Sequence, residues 1–256
     1  HFGWCLSAFD VEAAFLTGRK MQREVYFKPP SPGLPGLPPG CLIRAVKGIF
    51  GIPEAPRLWY LEFIEKAKQA GAEQVPWCPC LLYLKDPLTK KLVGAMCAHV
   101  DDAVMTGQGA YYAQFKRDLF KSLNLKHVHD DDFTFLKRRV VRQQDGSIFI
   151  YFTEGVKKIK PILVKKEHRQ QPDSPLTPAE LSQLRSLVGE LSWPTRECFP
   201  EFCYDVSDLQ QRIPEATVST IIRANSTLRD LVRRSEQVAM KFIRGDGSGR
   251  LSAGLY

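Results

Sequence analysis

Leu92-Val93-Gly94-Ala95-Met96-Cys97-Ala98-His99-Val100-Asp101-Asp102-Ala103-Val104-Met105-Thr106-Gly107 is an apolar stretch broken by two adjacent carboxylates. A carboxylate taken out of water without a partner is strongly disfavoured, so acids set between apolar runs need a reason. A bound cation supplies one. Neighbouring side chains on a regular strand point to opposite faces, so Asp101 and Asp102 share a ligand only where the chain turns. The stretch therefore predicts a tight hairpin with the acids at its tip, closed by Gly107. Taken alone, the tetrapeptide His99-Val100-Asp101-Asp102 also reads as a solvated turn, where Asp is common.

A second acid in a similar setting shifts the balance. Asp10 ends Phe2-Gly3-Trp4-Cys5-Leu6-Ser7-Ala8-Phe9, an apolar and aromatic run that suits a buried strand. Three carboxylates from two strand ends can hold a pair of Mg²⁺ ions about 3.5–4 Å apart, one activating an attacking oxygen and the other steadying a leaving pyrophosphate. Oxygen donors suit Mg²⁺, with Mn²⁺ as a substitute, better than zinc.

The wider sequence carries a family resemblance. Phe9-Asp10-Val11-Glu12-Ala13-Ala14-Phe15-Leu16-Thr17-Gly18 resembles the "LDVKTAFLNG" segment of copia-type LTR-retrotransposon (pseudovirus) reverse transcriptases, and His99-Val100-Asp101-Asp102 resembles their "YVDD" box. Between them, Lys47-Gly48-Ile49-Phe50-Gly51-Ile52-Pro53-Glu54-Ala55-Pro56-Arg57-Leu58-Trp59-Tyr60 is similar to "SLYGLKQAPRAWY". Ser186-Leu187-Val188-Gly189-Glu190-Leu191-Ser192-Trp193 with Thr195-Arg196 is similar to "RSLVGSLLWLATRTRPD". Order and approximate spacing match over nearly the whole chain.

The resemblance implies an RNA-directed DNA polymerase with Asp10, Asp101 and Asp102 as catalytic metal ligands for two Mg²⁺ ions. It implies a nucleotide site of Val11, Phe15, Phe50 and Gly51, with the Phe15 ring beneath the sugar, where its bulk excludes a 2′-hydroxyl. It places His99 and Val100 at the primer terminus. The implied partners are an RNA or DNA template with its primer, deoxynucleoside triphosphates, and the fingers, ribonuclease H and integrase parts of a polyprotein. The implied location is intracellular, in cytoplasmic virus-like particles or the nucleus. Ordinary core packing is the competing reading of Phe15 and Phe50.

The departures are His99 for Tyr, Glu54 for Gln, and Lys137 for the Gly of the family's "FLG" unit after Phe135-Leu136. Glu54 places negative charge in a segment implied to lie near nucleic acid. The chain begins with His1 and carries nine residues before Asp10, where family members carry a fingers region that grips the triphosphate. This predicts a partial chain without that clamp, and one ending at Tyr256 before any ribonuclease H site. Two functional classes follow: an active polymerase module, or an inactive remnant that still binds nucleic acid. An unrelated α+β nucleotidyltransferase or cyclase with paired acids is a third reading.

A net charge of +8 and a pI near 9.1 favour an anionic partner. Basic residues cluster at Lys137-Arg138-Arg139 with Arg142, Lys157-Lys158-Lys160, Lys165-Lys166 with His168-Arg169, and Arg229 with Arg233-Arg234. Such clusters supply sequence-independent phosphate attraction or form solvated helix faces. Seven cysteines without metal-finger spacing read as reduced, mostly buried thiols. No apolar run is long enough to span a membrane.

Pro29 to Gly40 reads as an exposed loop with polyproline character. Helices are predicted over Pro53 to Ala70 and Tyr111 to Leu123, and a strand over Cys80 to Lys85. Phe133 to Arg142 and Ser147 to Phe152 are predicted to pair across Asp145-Gly146. Helices are predicted again over Glu154 to Lys165, Pro178 to Trp193, Glu201 to Gln211 and Pro214 to Arg234. Gln170 to Pro175 reads as a linker. The fold class expected is α+β: a right-hand polymerase palm, built as a ferredoxin-like antiparallel sheet with helices on one face, then a mostly helical thumb or connection. The boundary is expected between 1–153, with partial fingers, and 154–256.

Overall fold

The computed structural model of the protein describes residues 4–243 and 253–255, so His1, Phe2 and Gly3 before the first strand and the terminal Tyr256 lie outside the described residues. The chain divides into two compact units between Asp131 and Asp132.

The first unit runs β1 (Cys5–Val11), α1 (Ala14–Thr17), β2 (Lys20–Phe27), β3 (Ile43–Lys47), α2 (Ala55–Gln69), β4 (Glu73–Val75), β5 (Cys78–Lys85), β6 (Leu92–His99), β7 (Asp102–Gly107), α3 (Gly109–Ser122) and β8 (Leu125–Asp130). Six of its strands form one antiparallel sheet in the order β4-β5-β6-β7-β1-β8. Side chains alternate across it. Phe9, Val11, Leu82, Leu84, Met96, Ala98, Ala103 and Met105 form a core with Trp59, Phe63 and Ala67 of α2 and Tyr112, Phe115 and Leu119 of α3. Burying each large side chain contributes about 1.5–3 kcal/mol. The strand order β6-β7-β1-β8, with α2 between β1 and β6 and α3 between β7 and β8, is that of a split β-α-β sheet. Gly94 and Gly107 are register partners, and a Cβ at Gly107 would come within 2.3 Å of the Tyr112 ring. The small residues at this end of the hairpin let α3 lie directly on the sheet.

The ribbon of β2 and β3 lies outside the sequence expectations. Most of its residues are exposed, so no run of alternating apolar residues marks it. The Pro29 to Gly40 loop between them is exposed, as expected.

The second unit comprises β9 (Asp132–Phe135), β10 (Arg138–Arg142), β11 (Ile148–Tyr151), α4 (Thr153–Lys157), α5 (Lys166–Arg169), α6 (Pro178–Glu197), α7 (Cys203–Arg212), α8 (Val218–Gln237), β12 (Met240–Phe242) and β13 (Ala253–Leu255). Its antiparallel sheet has the order β13-β12-β11-β10-β9, and Leu184, Leu187, Leu191, Leu209, Ile221 and Leu231 centre a helical core. The compact division therefore precedes the 153/154 boundary read from the sequence. The reason is that β11 pairs with β12 from the far end of the chain, which ties β9 to β11 to the helices that follow them.

Three local expectations are corrected. Phe133 to Arg142 is a hairpin rather than one strand: Leu136 and Lys137 take left-handed φ values of 48° and 64°, the two-residue type I′ pattern that reverses a chain. The Glu154 to Lys165 helix stops at Lys157, and Pro161 stands in the extended segment beyond it. Gln170 to Pro175 is tied down by Ser219 N to Pro172 O (2.8 Å), Val218 N to Ser174 O (3.1 Å) and a bridge from Pro175 to Thr217. The remaining helices match their predictions to within a few residues at each end, and α6 is capped by Thr177 and Glu180 acting reciprocally.

The cysteines are free, as expected, but three of them, Cys5, Cys80 and Cys97, are exposed and one, Cys198, is buried. Burial pushes the Cys198 thiol up to about 11. Among the described residues no helix is long and apolar enough to cross a membrane.

Candidate active site

The acidic hairpin forms as its sequence predicts. His99 and Asp102 are register partners, leaving Val100 and Asp101 as a two-residue loop. Val100 carries the left-handed φ, 57°, as in a type II′ turn. Both loop carbonyls are held from outside the hairpin. Trp59 Nε1 donates to Val100 O (2.6 Å) and Val11 N donates to Asp101 O (3.0 Å).

Asp10 is the register partner of Asp102 across β1 and β7. Directly opposed residues share a face, with Cβ atoms about 4.5–5.5 Å apart, so the two carboxylates stand side by side. On its other side Asp10 faces His127 of β8. The sheet thus carries a row His99, Asp102, Asp10, His127 on the face away from α2 and α3. Partial burial, with the charges of Asp101 and Asp10 adding to it, raises the Asp102 carboxyl above the usual range, and His99 opposes the shift.

Among the described residues no group of three His, Cys, Asp or Glu side chains stands ready-made to hold a metal ion. What the fold assembles is a like-charged pair, Asp10 and Asp102, with Asp101 close enough to perturb it. Crowded oxygen donors of one sign fit a hard divalent cation. One or two carboxylates, with water and phosphate oxygens completing the shell, are what Mg²⁺ takes from a protein.

The other sequence candidates divide. Phe15, half-buried against the core, meets Phe50 edge-to-face with ring centroids 4.9 Å apart. Phe50 is 85% exposed, so it is a surface ring and not core, and Gly51 beside it has φ 89°. Val11 has a buried side chain and spends its backbone donor on Asp101 O, so it braces the hairpin and offers neither group to a nucleotide. His99 and Val100 are exposed at the tip. Glu54 is paired with Arg23 of β2 (2.5 and 2.8 Å), and that guanidinium holds its carboxyl below the ordinary range. Its negative charge is therefore answered locally.

Sequence reading assigned no role to His127 or Arg23, whose partners lie on other strands or helices, nor to the indole N–H of Trp59. The Trp-Tyr of the Leu58-Trp59-Tyr60 segment was the one visible signal.

Many of the basic clusters in the second unit are neutralised. Arg138 pairs with Glu197, Arg139 with Asp132, Lys157 with Glu236, Arg233 with Asp230 and Arg234 with Glu201. Lys158 and Arg185 have no ion pair among the described residues, and both line a groove of about 940 Å³ with Lys137, Gly189 and Trp193. Trp193 is 47% exposed and Lys137 Nζ lies 6.0 Å from its ring centroid.

No family model matches the chain. The chain is similar to the retrovirus-related Pol polyprotein from transposon TNT 1-94 of Nicotiana tabacum, 26% identical over 120 residues, which are 46% of this chain and 9% of that protein. It is also similar to the retrovirus-related Pol polyprotein from transposon RE2 of Arabidopsis thaliana, 27% identical over 143 residues, 56% of this chain and 10% of that protein. The chain matches about a tenth of the length of each polyprotein.

Proposed function

We propose that this chain is the reverse transcriptase module, an RNA-directed DNA polymerase, of a copia-type retrotransposon Pol polyprotein, with the first unit as palm and the second as thumb or connection. The observation that carries the reading is the register pairing of Asp10 with Asp102 beside a hairpin tip bearing Asp101. The similarity to Pol polyproteins supports it.

In this reading Asp10, Asp102 and Asp101 are the residues that would hold Mg²⁺, or Mn²⁺ in its place. The chemistry such ions supply when bound is neutralisation of charge as the primer hydroxyl attacks the nucleotide α-phosphate. His99 and Val100 face the primer terminus. Phe15, steadied by Phe50, lies under the deoxyribose, and Gly51 lets the backbone approach the base pair. Lys137, Lys158 and Arg185 attract template and primer phosphates, and Trp193 offers a face for stacking or apolar contact. The module works inside the cell, joined to the other parts of its polyprotein.

The test is primer extension by a longer Pol chain containing this sequence, with salt-dependent primer–template binding by the 256-residue chain alongside. Mg²⁺-dependent extension that Asp102→Asn abolishes while binding persists is the expected result. Binding without extension in the longer chain would favour a second reading, an inactive remnant that retains nucleic-acid binding. The departures of His99 and Lys137 from the family's letters are the observation on its side. Loss of binding even at low salt would defeat both.

A further inference from the structure

The hairpin that carries Asp101 and Asp102 turns through Val100, a β-branched residue at φ 57°. Such residues avoid the left-handed region because Cβ crowds the backbone, and they persist there only where the surroundings over-determine the conformation. Here the surroundings are two hydrogen bonds. The carbonyl of Asp101 accepts from the backbone of Val11 (3.0 Å), the residue that follows Asp10. The carbonyl of Val100 itself accepts from the indole N–H of Trp59 (2.6 Å).

Trp59 is well placed to impose a geometry. It is 1% exposed in the second turn of α2 and its ring lies 5.8 Å from that of Phe63. Its backbone is closely approached: a Cβ at Gly18 would lie 3.0 Å from Trp59 N. The indole therefore sits on a packed helix and its donor has a fixed position, whereas the two-residue loop it meets, closed by the His99–Asp102 register pair, carries one strained residue.

We propose that Trp59 is a positioning residue for the acidic hairpin: its N–H holds Val100 left-handed and so sets Asp101 and Asp102 at their working spacing from Asp10. The proposal rests on the reading of Asp10 and Asp102 as cation ligands. It differs from ordinary core packing in one respect. Packing needs the ring, and positioning needs the N–H.

The experiment uses the 256-residue chain in four forms: wild type, Trp59→Phe, Val100→Gly and the double variant. Mn²⁺ binding is measured by water-proton relaxation, and the Val11 amide is followed by hydrogen exchange. Phenylalanine keeps a ring but has no N–H. Glycine needs no external support at φ 57°, since it populates the left-handed region freely. Trp59→Phe should weaken Mn²⁺ binding about five- to tenfold, the loss expected from one hydrogen bond, and speed exchange at Val11. Val100→Gly should change little, and in the Trp59→Phe background it should recover most of the loss. Should Trp59→Phe fail to fold, site-specific benzothienylalanine, an indole isostere without the N–H, replaces it. Unchanged Mn²⁺ binding and unchanged Val11 exchange in the N–H-deficient chain, or a defect that Val100→Gly leaves untouched, would overturn the proposal. If wild type binds no Mn²⁺, or binds it equally after Asp10→Asn, the cation reading fails instead, and Val11 exchange still decides whether Trp59 positions the hairpin.

Discussion

Asp10 on β1 stands directly opposite Asp102 on β7, two like-charged side chains paired where opposite charges or apolar residues would stabilise the sheet. Partial burial, followed by the charges of Asp101 and Asp10, raises the Asp102 carboxyl. A carboxyl raised in the folded state contributes stability that is fully present below its unfolded value and is lost as pH rises through its folded value. In urea unfolding followed from acid to neutral pH, the stability of the wild type relative to Asp102→Asn should fall as pH rises, whatever common slope the other carboxyls give both chains. The variant should equal or exceed the wild type in stability at neutral pH. Parallel pH profiles would mean that the pair is not electrostatically strained.

Cation binding should relieve the same repulsion. Mg²⁺ at a hundredfold excess over its Kd should stabilise the chain by about 2.7 kcal/mol, seen as a rise in Tm that NaCl of equal ionic strength does not reproduce. Asp10→Asn or Asp102→Asn should remove most of that rise, and Asp101→Asn less. Equal effects from all three would indicate that Asp101 enters the ligand set without substrate.

The Phe15 and Phe50 rings meet at 4.9 Å, so the proposed sugar gate is a pair. Phe15→Val in a polymerising Pol chain should raise ribonucleotide incorporation relative to deoxyribonucleotide. Phe50→Ala should shift the preference the same way to a lesser degree, because it leaves Phe15 in place without its support. At 85% exposure the Phe50 substitution should alter stability by no more than about 0.5 kcal/mol. An unchanged sugar preference in both would return the rings to packing and surface roles.

Two glycines should respond oppositely to alanine. A Cβ at Gly48 would sit 2.5 Å from the Ala55 Cβ and 2.8 Å from its Cα, so Gly48→Ala should destabilise by about 1–3 kcal/mol through overpacking. A Cβ at Gly189 meets nothing within 4 Å, so Gly189→Ala should stabilise α6 by about 0.5–1 kcal/mol. Because Gly189 lines the groove with Trp193, the same change should weaken primer–template binding measured by fluorescence anisotropy. Tighter or equal binding would remove that groove from the nucleic-acid path.

Primer–template affinity should also register the Arg23–Glu54 pair. Glu54→Gln frees the Arg23 guanidinium, now engaged by one hydrogen bond and a close ion-pair contact. Affinity at low salt should rise, and the logarithmic salt dependence should steepen by about one phosphate contact. No change in slope would place this part of α2 and β2 away from the nucleic acid.

The amino-acid order alone determined the hairpin from Leu92 to Gly107, the helices at α2, α3 and α6, and the identity of the acids. Each of these is written in local periodicity, turn residues or caps within a few positions of one another. What only the tertiary structure decided depends on pairings between residues far apart in the chain. That β1 lies between β7 and β8, so that Asp10 faces Asp102 and His127, follows from strand order and register; sliding β1 by one residue would turn Asp10 to the buried face. Glu54 looked like an uncompensated charge until the fold brought Arg23 to it. The β9–β10 hairpin and the early division between the units were hidden because Leu136 and Lys137 are not turn formers by type, and because β12 returns from the end of the chain to complete their sheet. Local patterns specify which elements form, while the long-range burial of one sheet face against α2 and α3 selects which acids meet.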